Sequence, residues 1–170
     1  MISFPETIEY NPYYTQYIQH LQGKDVLVAL AKGVEDVNEL MASLTEEKLQ
    51  SAYAEGKWTI KEVLQHIMDT ERIFCNRALR FARNDKTELP GFEQDDYVPF
   101  SGANERNSME MLREYNAIRQ ATITMFQGFS DEMLSRVGIA SASNMSVRAI
   151  AHVLAGHERH HMNVINERYL

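Results

Sequence analysis

The sequence predicts an all-α protein, and three observations carry that prediction. Apolar residues recur every three or four positions in four long segments, which is the period of an amphipathic helix. Hydroxyl or asparagine residues stand just before three of these segments, as helix N-caps do. Proline is sparse, with 4 residues in 170, and the alternating β-branched runs typical of strands are hard to find. We expect a single domain over residues 1–170, because this length allows one full core.

The first predicted elements lie in the N-terminal third of the chain. Asn11-Pro12 has the order of an N-cap followed by a proline in the first helical turn. A short helical stretch follows and is interrupted at Gly23. A second periodic run covers residues 26–43, and Thr45 begins a short helical turn after it.

Capping signals open the later helices. Two of them have the capping-box pattern, in which the cap and a glutamate three residues later satisfy each other's backbone N–H groups. We expect four long helices that pack as an up-and-down bundle with one crossover loop. The later segments are 59–83 (Thr59 with Glu62), 107–127 (Asn107 with Glu110), a short piece from Ser130, and 146–168 (Ser146).

The crossover loop, residues 84–106, is unusually long. Loops of more than about 15 residues without secondary structure are uncommon in compact domains and are often functional. This loop contains Pro90-Gly91 and the acidic run Asp95-Asp96. The sequence leaves both interpretations open, a functional loop or a plain connection.

Composition and charge exclude several classes of function. The net charge is −7 and the 17 Lys and Arg are scattered, whereas a nucleic-acid-binding protein carries a basic patch, so we expect no nucleic-acid partner. The one cysteine, Cys75, allows neither a disulfide framework nor a cysteine-based zinc site. Residues 1–10 lack a secretory signal and no run of 18 apolar residues exists, so we expect no membrane span and a cytoplasmic protein.

Two histidines near the C-terminus have the spacing of a metal site. His157 and His161 are four residues apart, so on a helix their imidazoles lie on one face and can bind one ion. His66, on the helix that begins at Thr59, would supply a third ligand and leave positions for water or substrate. Such an open site is more typical of catalysis than of a structural metal. Spacing alone leaves His160 open as an alternative to His161.

An internal similarity supports a shared site for these histidines. Residues 58–72 resemble residues 145–159 at an offset of 87, with the same hydroxyl cap, apolar stripe and Glu-Arg pair. This similarity indicates a pseudo-symmetric pair of helix hairpins. At about 100° per residue, His66, His157 and His161 lie on the same flank of their apolar stripes, so the two flanks can face one another.

The other chemistry-bearing residues are predicted to lie outside this site. His152 lies away from the shared flank and is expected at the surface, and His20 is expected to be structural or solvated. Cys75 falls on the opposite helix face from His66, so it cannot share a metal with it and is expected to be a small buried residue. Arg77 lies on the His66 side, where it would contact an anionic substrate group or, more simply, solvent.

Glu71 and Glu158 fall inside the apolar stripes of their helices. Buried carboxylates need partners. One interpretation is that each accepts a hydrogen bond from a ligand imidazole and fixes its tautomer. The interpretation that we favour is an ion pair with an arginine of a facing helix.

Several motifs together resemble the DinB/YfiT-like superfamily of four-helix metalloproteins, over residues 25–168. Their order and spacing make the set specific. The motifs are Lys57-Trp58-Thr59-Ile60-Lys61-Glu62-Val63-Leu64-Gln65-His66, Glu71-Arg72-Ile73-Phe74, Leu89-Pro90-Gly91-Phe92, Ser146-Val147-Arg148-Ala149-Ile150 and Gly156-His157-Glu158-Arg159-His160-His161.

The resemblance implies a fold, a ligand set and a partner. The fold would be an up-down-down-up four-helix bundle, and the metal ligands would be His66, His157 and His161, with zinc or nickel as the ion. A homodimer is also implied. Activities in the family include thiol S-transfer with low-molecular-weight thiols and a thiol-dependent isomerisation, and other members are called metal-dependent hydrolases. The family name refers to induction by DNA damage and implies no DNA contact.

Three functions follow, each with a small molecule as partner. The first is S-transfer, because a divalent ion lowers the pKa of a thiol, about 8.5 when free, and makes it a nucleophile toward an electrophile under the 84–106 loop. The second is hydrolysis by water activated in the same way. The third is a non-catalytic, metal-stabilised binding or stress-response protein, which would need a fourth protein ligand such as Asp69 or Glu71. We rank them in this order.

Overall fold

Four long helices form the body of the molecule, as the sequence predicts. The computed structural model describes residues 1–170. Its helices and strands are, in chain order, α1 (Thr15–Ile18), α2 (Val26–Ser43), α3 (Glu46–Leu49), α4 (Ile60–Ala82), α5 (Gln94–Tyr97), α6 (Ser108–Gln127), α7 (Asp131–Ser135), β1 (Val137–Ala140), β2 (Ser143–Ser146) and α8 (Val147–Arg168).

A side-chain cap begins each long helix. Thr59 Oγ1 accepts from the backbone N of Glu62 at 3.1 Å, and Glu62 accepts from the backbone N of Thr59 at 2.7 Å, which completes the predicted capping box of α4. Asn107 and Ser146 cap α6 and α8 as predicted, but Glu110 does not bond back to the backbone N of Asn107, so the capping box predicted for α6 does not form. Asp25 caps α2, where the sequence analysis named no cap. Each cap satisfies a backbone donor that the helix leaves unpaired and stabilises by about 1 kcal/mol.

The long helices run up, down, down and up. Helices α4 and α6 are parallel to each other, and so are α2 and α8. Helix α4 is antiparallel to α8, and α2 is antiparallel to α6. The consecutive helices α2 and α4 are therefore diagonal, with α6 and α8 packed between them. The pairs that fix these directions are Arg72–Glu114 and Cys75–Thr122 (α4, α6), Gly33–Glu158 and Asp36–Arg159 (α2, α8), Trp58–Tyr169 and His66–His161 (α4, α8), and Leu30–Arg119 and Asn38–Asn116 (α2, α6).

Buried apolar side chains form two separate clusters, one toward each end of the bundle. Leu30 and Phe74 belong to the larger cluster of 23 residues. Val37 and Met68 belong to the smaller cluster of 16 residues. The residues between these positions on α2 and α4 lie at mid-bundle, so the core is interrupted at the level where polar groups are buried.

A buried arginine fills that level. All five N–H donors of Arg119 are used: Nε and Nη2 donate to Glu71 at 2.9 and 2.8 Å, Nη1 and Nη2 donate to Glu158 at 2.9 and 2.5 Å, and Nη1 also donates to the carbonyl of Leu30 at 3.1 Å. The hydroxyl of Tyr115 donates to Glu158 at 2.7 Å. The favoured interpretation of the two glutamates as an ion pair with an arginine of a facing helix is therefore confirmed.

The surroundings of this layer keep Arg119 charged and Tyr115 neutral. Burial alone would lower the pKa of Arg119, but the charges of Glu158 and Glu71 outweigh burial and raise that pKa well above its usual value. Burial and the neighbouring carboxylates also raise the pKa of Tyr115. Gly33 on α2 makes the room, because a Cβ there would lie 1.9 Å from Oε1 of Glu158.

The predicted all-α fold is confirmed, with one short β-hairpin added to the helices. β1 and β2 pair antiparallel, and Leu89 of the crossover loop bridges to Ala140 on the outer side of β1. The turn residues Ser141 and Ala142 have φ of 53° and 55°, the left-handed conformation of a two-residue hairpin turn. The hairpin could not be predicted from the sequence, because its strands are four residues long and its turn lacks the usual asparagine and glycine.

None of the helices combines the length and the apolar character that a membrane span requires.

We predict that Arg119→Met lowers the free energy of unfolding by about 3–5 kcal/mol, because two carboxylates would be buried without a counter-charge. Urea unfolding at neutral pH measures this loss. Arg72→Met is the matched control: Arg72 also bridges α4 to α6, but its side chain is 49% exposed, so its loss should cost about 1 kcal/mol or less. Equal costs for the two variants would contradict the account.

Candidate metal centre

The three predicted histidines converge on one point between α4 and α8. Nε2 of His66 and Nε2 of His161 each lie 3.0 Å from Nε2 of His157. The three ligand atoms lie within 4.8 Å of one another, His66 and His157 are buried, and His161 is partly buried. The structure thus brings together the residues that the resemblance implied. Their role as metal ligands stays a prediction.

The arrangement of donor atoms fits a divalent cation. A neutral imidazole carries either a proton or a lone pair at Nε2, but Nε2 of His157 faces two other nitrogens. The single proton or lone pair at that atom can form one well-aligned hydrogen bond, so the second contact has none of its own. A cation that accepts three lone pairs satisfies all of them, and imidazole nitrogens are common ligands of divalent transition metals such as zinc, copper, iron and nickel.

Burial keeps these imidazoles neutral, which is the form that binds a metal. It lowers the pKa of His66 from 6.5 to about 4. Burial, with smaller contributions from His66 and His160, lowers the pKa of His161 to about 3. Burial and then the neighbouring imidazoles lower the pKa of His157 well below its usual value. Protons therefore compete weakly for the site at neutral pH.

His160 lies beside the cluster rather than in it. The three-nitrogen group consists of His66, His157 and His161. The ring of His160 instead packs edge-on against Tyr17, with centroids 5.4 Å apart. Of the two histidines that spacing left open, His161 is therefore the one whose ring nitrogen joins the cluster, and its role as a metal ligand stays a prediction.

No carboxylate belongs to the cluster. Both oxygens of Glu71 are bound by Arg119. Asp69 accepts a hydrogen bond from Nε2 of Gln65 at 2.9 Å. The two candidates for a fourth protein ligand are therefore outside the group of converging donor atoms. Oγ1 of Thr70 lies 3.5 Å from Nδ1 of His66, the ring nitrogen that does not face the other two imidazoles.

Two cavities reach the cluster from opposite directions along α4. The aromatic cavity, which includes Thr70 and His157 in its wall, has a volume of about 340 Å³. The Trp58 cavity, which includes Trp58 and His161, has a volume of about 500 Å³. Asp95 of α5 lines both. A larger groove of about 670 Å³ between α2 and α8 contains none of the three histidines.

The N-terminal segment forms one wall of the aromatic cavity. Tyr17 packs edge-on against His157, with ring centroids 5.3 Å apart. Gly156 permits this approach, because a Cβ there would lie 2.0 Å from the carbonyl oxygen of Tyr17. Glu9 ties the same segment to α8, where it accepts from Ser146 at 2.6 Å and from Nε of Arg148 at 2.8 Å.

Arg77 anchors the crossover loop, and the predicted solvent-exposed position for it was wrong. It is buried rather than solvated, and Nη2 donates to the carbonyl of Pro90 at 2.9 Å and to Oγ of Ser141 at 3.3 Å. Its guanidinium carbon lies 4.9 Å from the ring centroid of Phe74 and 5.9 Å from that of Phe92. The guanidinium is therefore used to hold the loop on α4 and the hairpin, and it does not line the cavity.

The prediction for His152 was wrong, whereas those for Cys75 and His20 agree with the structure in outline. His152 was expected at the surface but is 1% exposed, because the N-terminal segment covers that face and Phe4 packs on its ring. Cys75 is partly buried, and Sγ lies 3.2 Å from Oγ1 of Thr122. Burial raises the pKa of the Cys75 thiol to about 12, so it is no nucleophile. His20 is partly exposed and lines the groove between α2 and α8.

Sequence reasoning missed the tyrosines of the N-terminal segment and the residues of the loop. Tyr13, Tyr14 and Tyr17 line the aromatic cavity with Phe92. The only signal was the density of aromatic residues between positions 10 and 17. No periodicity connects this segment to the histidines, since the contact depends on a crossing that only the folded chain defines.

Comparison with known proteins identifies the family. Residues 29–165 match the DinB superfamily. The chain belongs to the DinB superfamily. A relative from Oceanobacillus iheyensis, whose name assigns it provisionally to the metal-dependent hydrolases, is 25% identical over 129 residues, which cover 74% of this chain and 73% of the relative.

Two solved structures share the fold. YfiT from Bacillus subtilis, described as a probable metal-dependent hydrolase with an unusual four-helix bundle topology, has a TM-score of 0.66 and 17% identity, covering 96% of this chain and 89% of that one. A mycothiol-dependent maleylpyruvate isomerase has a TM-score of 0.62 and 11% identity, covering 78% of this chain and 55% of that one. The predicted up-down-down-up bundle is confirmed.

We predict that Gly156→Ala destabilises the chain by about 1–3 kcal/mol and loosens the N-terminal segment, because the new Cβ would overlap the backbone of Tyr17. Urea unfolding and limited proteolysis measure the two effects. Gly128→Ala is the matched control, since a Cβ there would meet its closest atom at an ordinary 3.5 Å. Early cleavage near Tyr17 in the control alone would contradict the account.

We predict that zinc affinity changes by less than about threefold when the pH falls from about 7 to about 5.5. The imidazoles stay deprotonated over this range because the pKa of His66 is about 4 and that of His161 is about 3. Calorimetric titration with zinc measures the affinity. If the three histidines had ordinary pKa values, protonation of each would lower the zinc affinity about tenfold over this pH range. A drop in affinity of about a thousandfold would therefore contradict the burial effect.

Proposed function

We propose that the chain is an enzyme that holds one zinc or nickel ion through His66, His157 and His161. The three imidazoles are convergent, two of them are buried and that of His161 is partly buried, and no carboxylate or thiolate joins them. Such a donor set leaves coordination positions free, which is the pattern of catalytic sites. The relatives named as metal-dependent hydrolases support the metal dependence.

The reaction that fits best is the transfer of a low-molecular-weight thiol to a small electrophile. One observation carries this choice: two separate cavities meet at the histidines, with His157 in the wall of one and His161 in the wall of the other. A transferase must bring two small molecules together, and this arrangement offers each its own compartment. The mycothiol dependence stated for the isomerase of similar fold supports a thiol as one of them.

The ion would supply Lewis acidity, which lowers the pKa of a thiol or water that reaches it. The protein's own residues position and shield the reactants. His66, His157 and His161 present Nε2 atoms to one point. The Cys75 thiol takes no part, because burial raises its pKa to about 12 and it lies against Thr122.

Metal-dependent hydrolysis is the second candidate. The names of the relatives favour it. Asp95 is a further observation in its favour, because this carboxylate lines both cavities and could accept a proton from water. A non-catalytic role ranks third, since a closed structural site would need a fourth protein donor that the cluster does not include.

Metal content tests the site itself. Mass spectrometry of protein purified without a histidine tag should find about one zinc or nickel ion per chain, and His157→Ala should abolish it. His160→Ala is the matched control and should keep the ion, because its ring lies outside the cluster. Retention by His157→Ala, or equal loss in both variants, would contradict the proposed ligand set.

Turnover assays separate the two reactions. The loaded protein should accelerate the reaction of low-molecular-weight thiols with 1-chloro-2,4-dinitrobenzene, and His161→Ala should remove this activity. Hydrolysis of p-nitrophenyl acetate without thiol transfer would move the hydrolase to first place. The homodimer implied by the family resemblance stays a prediction, which sedimentation equilibrium tests against the 19.6 kDa of one chain.

A further inference from the structure

We infer that the aromatic cavity binds an aromatic small molecule that carries a cationic group. This inference rests on the proposed function in one respect: the bound molecule is the electrophile that meets the thiol at the histidines. The cavity has about 340 Å³, which suits a molecule of one or two rings.

The wall of the cavity is a chain of aromatic rings that ends at the metal centre. Tyr13 and Tyr14 pack edge-on with ring centroids 5.2 Å apart, and Tyr14 continues to Phe74 at 5.9 Å. Tyr17 lies 6.1 Å from Tyr13 and 5.3 Å from His157. Rings arranged in this way bind flat aromatic groups and, through their π faces, cations.

The charges at the mouth have one sign. Glu93 and Asp95, both exposed, line the cavity, and no lysine or arginine does so. The guanidinium of Arg77 already packs on Phe74 and Phe92 and lies beside Tyr14, so Tyr13 and Tyr17 are the rings left for a ligand cation. An anionic ligand would meet the two carboxylates at the mouth, where no lysine or arginine lines the wall.

The internal pseudo-symmetry supports an organic ligand at this place. The offset of 87 residues that relates α4 to α8 also relates each histidine of the cluster to a residue of the cavity wall. The pairs are His66 with Val153, His157 with Thr70 and His161 with Phe74. The cavity is therefore the symmetry counterpart of the histidine cluster, in which two apolar side chains and a hydroxyl replace the three imidazoles.

The Trp58 cavity differs from the aromatic cavity in its charged residues, and this difference assigns one reactant to each cavity. Lys57 and Asp95 both line it, beside Trp58 and His161. A carboxylate-bearing thiol would find a cation there but none in the aromatic cavity. The anionic reactant thus belongs in the Trp58 cavity and the cationic aromatic reactant in the other.

Calorimetric titration of the zinc-loaded full-length chain tests the inference with three probes: benzyltrimethylammonium, benzyl alcohol and benzenesulfonate. The quaternary cation cannot bind zinc, so its affinity reports the cavity alone. We expect it to bind about tenfold or more tightly than the sulfonate. Equal affinities, or a preference for the sulfonate, would overturn the inference.

Two variants localise the effect. Glu93→Gln should weaken binding of the cation about threefold and leave benzyl alcohol unchanged, because Glu93 lines this cavity and not the other. Asp96→Asn removes the same charge from the same turn but lines neither cavity, so it should change neither affinity. Equal effects of the two variants would overturn the inference, since they would reflect only net charge.

Repeating the titration on metal-free protein separates this inference from the proposed function. The preference for the cation should persist, because it depends on Tyr13, Tyr17 and Glu93 rather than on the ion. If the protein holds metal and transfers thiols but ignores the charge of the probe, the inference fails and the function stands. If it binds the cation but never holds metal, the function fails and the cavity assignment stands.

Discussion

The rest of the structure depends on one interaction, the sharing of Arg119 between Glu71 and Glu158. It crosses the middle of the bundle, where the two apolar clusters stop, and it joins α4, α6 and α8, with α2 held through the carbonyl of Leu30. All five guanidinium donors are used, so a shift of any one helix along its axis would break hydrogen bonds that buried charges cannot replace with water. The layer therefore fixes the heights of α4 and α8 relative to each other.

That fixed height is what brings the histidines together. His66 precedes Glu71 on α4, and His157 adjoins Glu158 on α8, so the register that satisfies Arg119 also sets the imidazoles opposite one another. Because Arg119 binds both glutamates, neither of them joins the histidine cluster. The residues at an offset of 87 from the three histidines, Val153, Thr70 and Phe74, line the aromatic cavity, and two of the three are apolar.

Much of this could be predicted from the sequence, because it follows from local pattern. The capping box at Thr59, the four helical periods and the three histidines depend on residues close together in the chain or on repeated spacing. His152, Arg77 and the hairpin at Ser141 could not be predicted in the same way. His152 is buried by Phe4 and Arg77 is bound by Pro90, and no periodic signal connects either contact. The choice between His160 and His161 likewise depended on the facing helix, which sets which imidazole meets His66.

The central claim is that three imidazoles alone bind the ion, while the buried carboxylates are held by Arg119. X-ray absorption spectroscopy of the zinc-loaded protein tests it most directly. The account predicts three imidazole nitrogens at about 2.0–2.1 Å, with the remaining coordination supplied by exchangeable light atoms. A shell with fewer than three imidazoles, or with a fourth ligand that persists after solvent exchange and disappears in Glu71→Gln or Glu158→Gln, would contradict it.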